Sequence, residues 1–326
     1  MINHKLIEIR DLKKYYPVTT GIISRHVGNT KAVDGVSFDI DEGEILGLVG
    51  ESGCGKSTLA RTILRLEEPT DGQVLYKGMD ISRLGKKELR RLRREIQIIF
   101  QDPDASLDPR MTVGDSIGEA LVIHNIVTEK EHVKRVAELM EQVGLDAAQA
   151  SHYPHEFSGG QKQRIGIARA LAVNPRLVIA DEPVSALDVS IQAQILNLMM
   201  DLKGRFGLTY LLIAHDLSVI KHMSDRIAVM YLGEIVEMAD KTQIFENTLH
   251  PYTEALLSAA PSLKPQQKKR ILLPGDIPSP LNPPSGCHFH SRCHRALPIC
   301  PQREPHLVEI SQDHFVACHL YSTANV

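Results

Sequence analysis

Residues 50–57 read Gly-Glu-Ser-Gly-Cys-Gly-Lys-Ser, set between an apolar run, Ile45-Leu46-Gly47-Leu48-Val49, and a helix-like stretch that begins Thr58-Leu59-Ala60. The pattern G-x-x-x-x-G-K-[S/T] has meaning only where a strand delivers the chain to a loop and the loop opens directly into a helix, and that is the context here. Gly50, Gly53 and Gly55 permit backbone conformations in which successive N–H groups point inward at phosphate oxygens. The helix N-terminus adds unsatisfied donors and partial positive charge. In this arrangement Glu51, Ser52, Cys54 and Thr58 belong to the phosphate cradle, Lys56 reaches the β- and γ-phosphates, and Ser57 gives its hydroxyl to Mg²⁺. At average residue usage such a pattern arises by chance in roughly 1% of chains this long, and the strand before it lowers that further. The chain is expected to bind a nucleoside triphosphate.

At 326 residues, 43% of them hydrophobic and 24% charged, the chain can bury a full core, and its length suggests two or three domains. A net charge of −3 gives no electrostatic case for nucleic acid as a partner. The basic run Arg90, Arg91, Arg93 and Arg94 reads as the solvated face of a polar helix. No segment reaches the ~18 apolar residues needed to span a bilayer, and the opening Met1 to Leu6 lacks the apolar centre of a signal peptide. The expected setting is the cytosol, or a membrane reached through another protein's helices. Cys54 lies inside the phosphate loop, whereas Cys287, Cys293, Cys300 and Cys318 crowd into the last forty residues. In a reducing compartment that clustering argues for metal over disulfides.

Residues 5 to 49 alternate short apolar runs with turn residues and read as strands leading into the loop. Residues 73 to 99 give further short strands around a charged helix, and 112 to 172 read as helical. There Val133, Val136, Leu139, Met140 and Val143 are spaced to share one helix face. The continuous apolar runs Leu177 to Ala180 and Tyr210 to Ala214 suit strands buried on both faces of a parallel sheet. A β-like stretch from Arg226 to Met238 precedes a helix near Pro251 to Ala259. From Pro261 on, through Pro265, Pro274, Pro278, Pro280, Pro283 and Pro284, the composition becomes that of a linker or a small irregular domain.

Five further elements narrow the class. Gln101 ends a strand, in Phe100-Gln101-Asp102-Pro103. Ser158-Gly159-Gly160-Gln161 precedes an amphipathic helix. Asp181-Glu182 ends the strand that starts at Leu177, Ser185-Ala186-Leu187-Asp188 follows, and His215 ends the next apolar strand. Asp181 is suited to hold Mg²⁺ and remain ionised beside it, and Glu182 to act as general base toward the attacking water. Order and content resemble the nucleotide-binding subunits of ATP-binding-cassette (ABC) transporters over about residues 5 to 240. That resemblance implies an α/β fold: a P-loop ABC ATPase domain with a mixed β-sheet core, an antiparallel β-subdomain and an α-helical signature subdomain at about 102–172. It implies Mg²⁺ held through Ser57, Gln101 and Asp181, His215 on the γ-phosphate, and Tyr16 (with Tyr15 as its rival) stacked on adenine. It also implies that Ser158, Gly159, Gly160, Gln161 and Asp188 meet the phosphate loop of a second ATPase in a head-to-tail dimer around two ATP molecules.

The chain has one cassette and no membrane helix, which favours a separate importer subunit over DNA-repair and translation cassettes or fused exporters. The segments His250 to Leu257, Pro278 to Cys287 and His288 to Cys293 resemble the C-terminal extension of bacterial dipeptide and oligopeptide importer ATPases of the DppF/OppF type; nickel and glutathione importers share such a tail. The resemblance implies an ABC nucleotide-binding domain over 5–260 and an irregular Cys/Pro-rich extension over 261–326. The implied partners are a paralogous (DppD/OppD-like) ATPase, or a second copy, two transmembrane permeases and a peptide-binding protein. The implied location is the cytoplasmic face of the membrane, peripherally attached. The four tail cysteines, separated by five, six and seventeen residues, lack the tight pairs of common zinc sites and suit a [4Fe–4S] cluster, which ATPases of this type carry in the tail. Zinc, with help from His288, His290 or His319, and four metal-free thiols remain open alternatives.

Overall fold

The computed structural model describes residues 5–20, 25–259 and 271–321. The N-terminal tetrapeptide and the first two prolines of the expected linker, Pro261 and Pro265, lie outside the described residues. In chain order the strands and helices are β1 (Lys5–Thr20), β2 (Arg25–Asp41), β3 (Ile45–Val49), α1 (Lys56–Ile63), β4 (Asp71–Tyr76), β5 (Met79–Asp80), α2 (Lys86–Leu92), β6 (Ile96–Ile99), α3 (Pro103–Ser106), α4 (Val113–Ile123), α5 (Glu129–Gln142), α6 (Gly159–Leu171), β7 (Leu177–Asp181), α7 (Val189–Phe206), β8 (Thr209–Ile213), α8 (Leu217–Met223), β9 (Arg226–Tyr231), β10 (Glu234–Asp240), α9 (Lys241–Glu246), α10 (Pro251–Ala259), β11 (Val308–Ser311) and β12 (His314–Val316). Two compact units share these elements. Among the described residues, one holds Asp41–Glu44 and Arg83–Ile213; the other holds those from Lys5 to Ile40, Ile45–Ser82 and those from Ala214 on.

In the first unit β6, β7 and β8 pair in parallel, with Ile99 opposite Ala180 and Asp181 opposite Ile213. All residues of β7 and β8 are buried, as the uninterrupted apolar runs require of strands covered on both faces. The helices α4, α5 and α6 fill the stretch expected to be helical. Val136, Leu139, Met140 and Val143 are buried as the spacing predicts, but Val133 is 75% exposed. It lies near the start of α5, so the apolar face begins one turn later than the periodicity suggests. The helix α2 and the turn after it expose Arg90, Arg91, Arg93 and Arg94 to solvent, and Arg90 ties itself to the Ile123 carbonyl at 2.7 Å.

In the second unit β3 pairs in parallel with β9, and β9 turns back antiparallel into β10. The turn residues Leu232 and Gly233 have φ of 42° and 88°, the double left-handed geometry that matches strand twist in a two-residue hairpin. A separate antiparallel sheet runs in the order β2-β1-β4-β5. The C-terminal extension is irregular from 271 to 307 apart from one short turn of 3-10 helix, His290–Arg292. It then forms the hairpin β11–β12, whose second strand pairs with β10. The tail therefore adds two strands to the sheet that carries the phosphate loop, which its composition does not foretell.

A buried polar knot fixes that addition. The Glu237 carboxylate, fully buried, accepts the Leu249 and His250 N–H groups at 2.8 and 3.0 Å and the His314 ring N–H at 2.9 Å. His250, 1% exposed, accepts the Tyr252 N–H on Nδ1 at 3.0 Å. Burial lowers the His250 pKa to about 4, against the opposing charge of Glu237. The unfolded chain takes up that proton near pH 6.5 while the native state refuses it until about pH 4, so stability falls as pH drops through this window, by up to about 1.4 kcal/mol per pH unit. His250→Asn, which keeps an acceptor for Tyr252 and removes the titration, is expected to flatten urea-unfolding stability between pH 6.5 and 4.

Candidate active site

The phosphate loop leaves β3 and enters α1 through Gly55, whose φ of 111° places it in the left-handed region. A Cβ at Gly55 would stand 2.0 Å from the Ala32 carbonyl oxygen, so only glycine fits. No side chain caps α1, as suits a helix start whose amides serve an anion. Lys56 is 5% exposed, and its ammonium donates to the carbonyls of Gly50 at 2.8 Å and Glu51 at 3.0 Å. The β9–β10 turn holds the loop from behind: the Gly233 N–H donates to the Cys54 carbonyl at 2.9 Å, and the Gly233 carbonyl accepts from Asp34 N–H at 2.9 Å. Burial pushes the Cys54 thiol up, with Lys56 opposing. His215 is exposed just after the end of β8, immediately before Asp216 caps α8. The Tyr16 hydroxyl donates to Glu67 and the Lys14 ammonium lies 4.9 Å from its ring centroid, while the Tyr15 hydroxyl donates to Asp34. All of these groups belong to the second unit.

In the first unit the buried β7 ends on Asp181, 4% exposed. Glu182 follows with φ of 47° and an N–H donated to the Ile213 carbonyl at 2.9 Å. A non-glycine residue in that region is strained, and such strain collects at working sites. The Gln101 amide donates to the Glu182 carboxylate at 3.1 Å, joining two residues 81 apart in sequence. Ser158 caps α6, accepting the Gln161 N–H while the Gln161 side chain accepts the Ser158 N–H at 2.9 Å. The exposed Ser158 and Gly159 sit at this helix start. Gly160 lets Ile191 approach, since a Cβ there would meet its Cγ2 at 2.5 Å. Asp188 caps α7, and its hydrogen bonds from Ser190 and Ile191 hold its carboxyl below the usual range.

The four tail cysteines form no disulfide and lie near one another in the second unit. The Cys287 N–H donates to the Cys300 carbonyl at 2.7 Å. Each sulfur accepts a backbone amide: Arg295 to Cys293 at 3.4 Å, Leu297 to Cys300 at 3.3 Å, Phe289 to Cys287 and Leu320 to Cys318. Burial pushes the Cys287 thiol up to about 12 and Cys318 up to about 11, and the neighbouring thiols add to both shifts. His290 Nδ1 donates to the Cys287 carbonyl at 2.8 Å and His319 Nε2 to the Arg303 carbonyl at 2.7 Å, which commits one nitrogen of each ring. Among the described residues no group of three or more His, Cys, Asp or Glu side chains is placed to hold a metal ion.

A family described as ABC transporter matches residues 33–185, and one described as the oligopeptide/dipeptide transporter C-terminal region matches residues 236–300. The oligopeptide transport ATP-binding protein AppF of Bacillus subtilis (strain 168) is 56% identical over 321 residues, which cover 97% of this chain and 98% of that protein. The chain belongs to the oligopeptide/dipeptide-type ATP-binding proteins of ABC transporters. The dipeptide transport ATP-binding protein DppF of Haemophilus influenzae is 49% identical over 317 residues, 97% of either chain. Among solved structures, the ATP-binding cassette MJ0796, a dimer in a post-hydrolysis state bound to ADP and Pi, is similar with a TM-score of 0.64 and 31% identity. It covers 72% of this chain, which covers 98% of it. Clostridium perfringens cbiO1, part of an ABC transporter complex, gives 0.63 and 27% over 75% and 92%. The ABC ATPase fold is therefore that of the chain. Among the described residues no helix is long and apolar enough to cross a membrane.

Two contacts to the phosphate loop of this ABC ATPase escape its sequence motifs. The Tyr252 hydroxyl accepts the Glu51 N–H, and Arg292 pairs with the Glu51 carboxylate, across 201 and 241 residues. Tyr252 lies in the tail segment His250 to Leu257 and Arg292 in the segment His288 to Cys293, and neither segment names its partner in the loop. For the loop itself, Gly55→Ala is expected to weaken MgADP binding by about ten-fold or more, given strain of 1–3 kcal/mol. Gly53→Ala, where a Cβ meets nothing within 4 Å, should weaken it less. Titration calorimetry on the two variants checks the order.

Proposed function

We propose that this chain is the ATP-hydrolysing subunit of a multi-subunit membrane importer for di- or oligopeptides, with the cassette over 5–260 and its extension over 261–326. The observation that carries this reading is the complete motif set, from phosphate loop to His215, in a chain matched end to end by peptide-transport ATP-binding proteins. DNA-repair and translation cassettes find no support in that match. The partners are two permeases, a paralogous ATPase and a peptide-binding protein, and the subunit attaches peripherally at the cytoplasmic face of the membrane.

Lys56 and the amides at the end of the loop and the start of α1, around Gly55 to Thr58, bind the triphosphate, while the Glu51 amide is held by Tyr252. Ser57, Gln101 and Asp181 are the oxygen donors that would hold Mg²⁺, and the ion would supply charge neutralisation for the transferred phosphate. Glu182 takes the proton from the attacking water as the water oxygen bonds to the γ-phosphorus and the bond to ADP breaks. Gln101 orients Glu182, and the 3.1 Å bond between them supports this role. His215 holds the γ-phosphate, and Tyr16 stacks on adenine. Ser158 to Gln161 and Asp188 serve the nucleotide of the opposing ATPase in a head-to-tail pair; the exposure of Ser158, Gly159, Asp188 and Val189 agrees with a surface that a second ATPase covers. Glu182→Gln is expected to keep MgATP binding and lose at least about a hundred-fold in turnover, whereas Lys56→Ala loses affinity. Turnover near wild type in Glu182→Gln would remove Glu182 from the role of base.

In this reading Cys287, Cys293, Cys300 and Cys318 would hold a [4Fe–4S] cluster in a structural role that orders the extension, which requires the sulfurs to come closer together than they stand in this structure. Support comes from the amide hydrogen bond on every sulfur, the arrangement that stabilises thiolate ligands. Burial raises the pKa of Cys287, Cys293 and Cys318, and a cationic partner favours the thiolate form of each. Anaerobic purification should yield about four iron and four sulfide per chain; stoichiometric zinc, or no metal, overturns the cluster and leaves the ATPase assignment standing.

A further inference from the structure

Glu51 occupies a variable position of the phosphate loop, where the pattern demands no carboxylate. A partly buried carboxylate beside bound phosphates repels them and loses hydration unless a cation neutralises it. Arg292 supplies that cation from the far end of the sequence. Its Nη1 donates to Glu51 Oε2 at 2.6 Å and its Nη2 to Oε1 at 3.1 Å, a two-pronged charge-assisted pair. The Arg292 side chain is 7% exposed and that of Glu51 23%, so solvent screens the pair little. The bond to Glu51 holds the guanidinium pKa above its ordinary value, against partial desolvation.

Glu51 is held at two further points. Its N–H donates to the Tyr252 hydroxyl at 2.8 Å, and its carbonyl accepts the Lys56 ammonium at 3.0 Å. Tyr252 is fully buried and packs against Tyr231 and Phe289, with centroids 4.7 and 5.4 Å away. The Arg292 guanidinium lies 6.0 Å from the Tyr231 centroid. Arg292 itself closes the 3-10 turn His290–Arg292, donating its N–H to the Phe289 carbonyl at 3.0 Å, directly before Cys293. Gly286 and Cys287 anchor this turn against Cys300: a Cβ on Gly286, at φ 67°, would stand 2.2 Å from the Cys300 carbonyl oxygen.

We propose that Arg292 is a positioning residue for ATP hydrolysis: through its paired bonds to Glu51, and with Tyr252 on the Glu51 amide, it holds the phosphate loop in its anion-binding form and makes nucleotide affinity depend on the folded cysteine-rich extension. The inference rests on the ATPase reading of the loop. An ion pair that only fastened the tail would change thermal stability and leave nucleotide binding alone. A positioning pair changes affinity and KM while kcat stays near its value, because Arg292 touches neither the water nor the leaving group.

The test uses the full-length chain, with MgADP affinity read by calorimetry and ATP turnover read in parallel. Arg292→Gln should raise both Kd and KM about ten-fold, the loss expected for one charge-assisted pair, with kcat within about three-fold. Arg292→Lys should recover part of the loss. Glu51→Gln combined with Arg292→Gln should be no weaker than the weaker single variant, since the two residues act as one unit. Tyr252→Phe, which keeps the ring, should weaken MgADP about five-fold, and it decides the matter if Arg292→Gln fails to fold. Wild-type affinity in Arg292→Gln, or in Tyr252→Phe in that event, overturns the positioning role, as do additive losses in the double variant. Lys56→Ala, run alongside, separates the two readings: if it binds MgADP as wild type does, the nucleotide assignment fails first and the positioning role with it.

Discussion

A loop that turns its amide groups toward phosphate cannot use those amides to hold itself in shape. The stretch from Gly50 to Gly55 has to be gripped by neighbours through its carbonyls, its close backbone approaches and the one amide, that of Glu51, which turns to Tyr252. The structure meets this demand at several points. The buried strand β3 fixes where the loop begins, and Gly55 fits against the Ala32 carbonyl where α1 starts. The Gly233 N–H holds the Cys54 carbonyl, and Lys56 ties two loop carbonyls to one ammonium. Ala32 and Gly233 come from other parts of the chain, so the loop is only as well formed as the unit around it.

The carboxylate side obeys a related rule. Asp181 is placed at the end of a strand buried on both faces, where an ionised group is costly without a cation or donors. The next residue leaves the strand at once, through a left-handed backbone conformation in which the Glu182 N–H is captured by the Ile213 carbonyl. The bond from Gln101 then orients the Glu182 carboxylate. Helix caps do comparable work around it: Ser158 starts α6 and Asp188 starts α7, so two residues of the family signature are also the residues that begin their helices.

The extension joins these requirements to the rest of the molecule. Its final hairpin extends the sheet through β10 and is secured by Glu237, which gathers two backbone amides and His314 where no solvent reaches. Its middle section has little regular structure and relies on close contacts among the cysteine segments and an aromatic group of Tyr231, Tyr252 and Phe289. Such a segment buries too little apolar surface to hold its own shape. That is a physical reason for a cysteine cluster to sit where Arg292 and Tyr252 must be kept in place.

Much of this was legible in one dimension because the chemistry demands local patterns. A phosphate cradle needs its glycines and lysine at fixed spacing, a sheet strand covered on both faces needs an unbroken apolar run, and a helix start needs its cap; Gly50 to Ser57, Leu177 to Ala180 and Ser158 to Gln161 all announce themselves. Periodicity failed at Val133, since helical spacing says which residues share a face and says nothing about where a neighbour stops covering it. The tail hairpin was unreadable because a four-residue and a three-residue strand carry too few alternations to stand out. The bond from Gln101 to Glu182 and the grip of Arg292 and Tyr252 on Glu51 were decided by tertiary structure alone. Hydrogen bonds depend on distance in space, and no local pattern records a partner 81, 201 or 241 residues away.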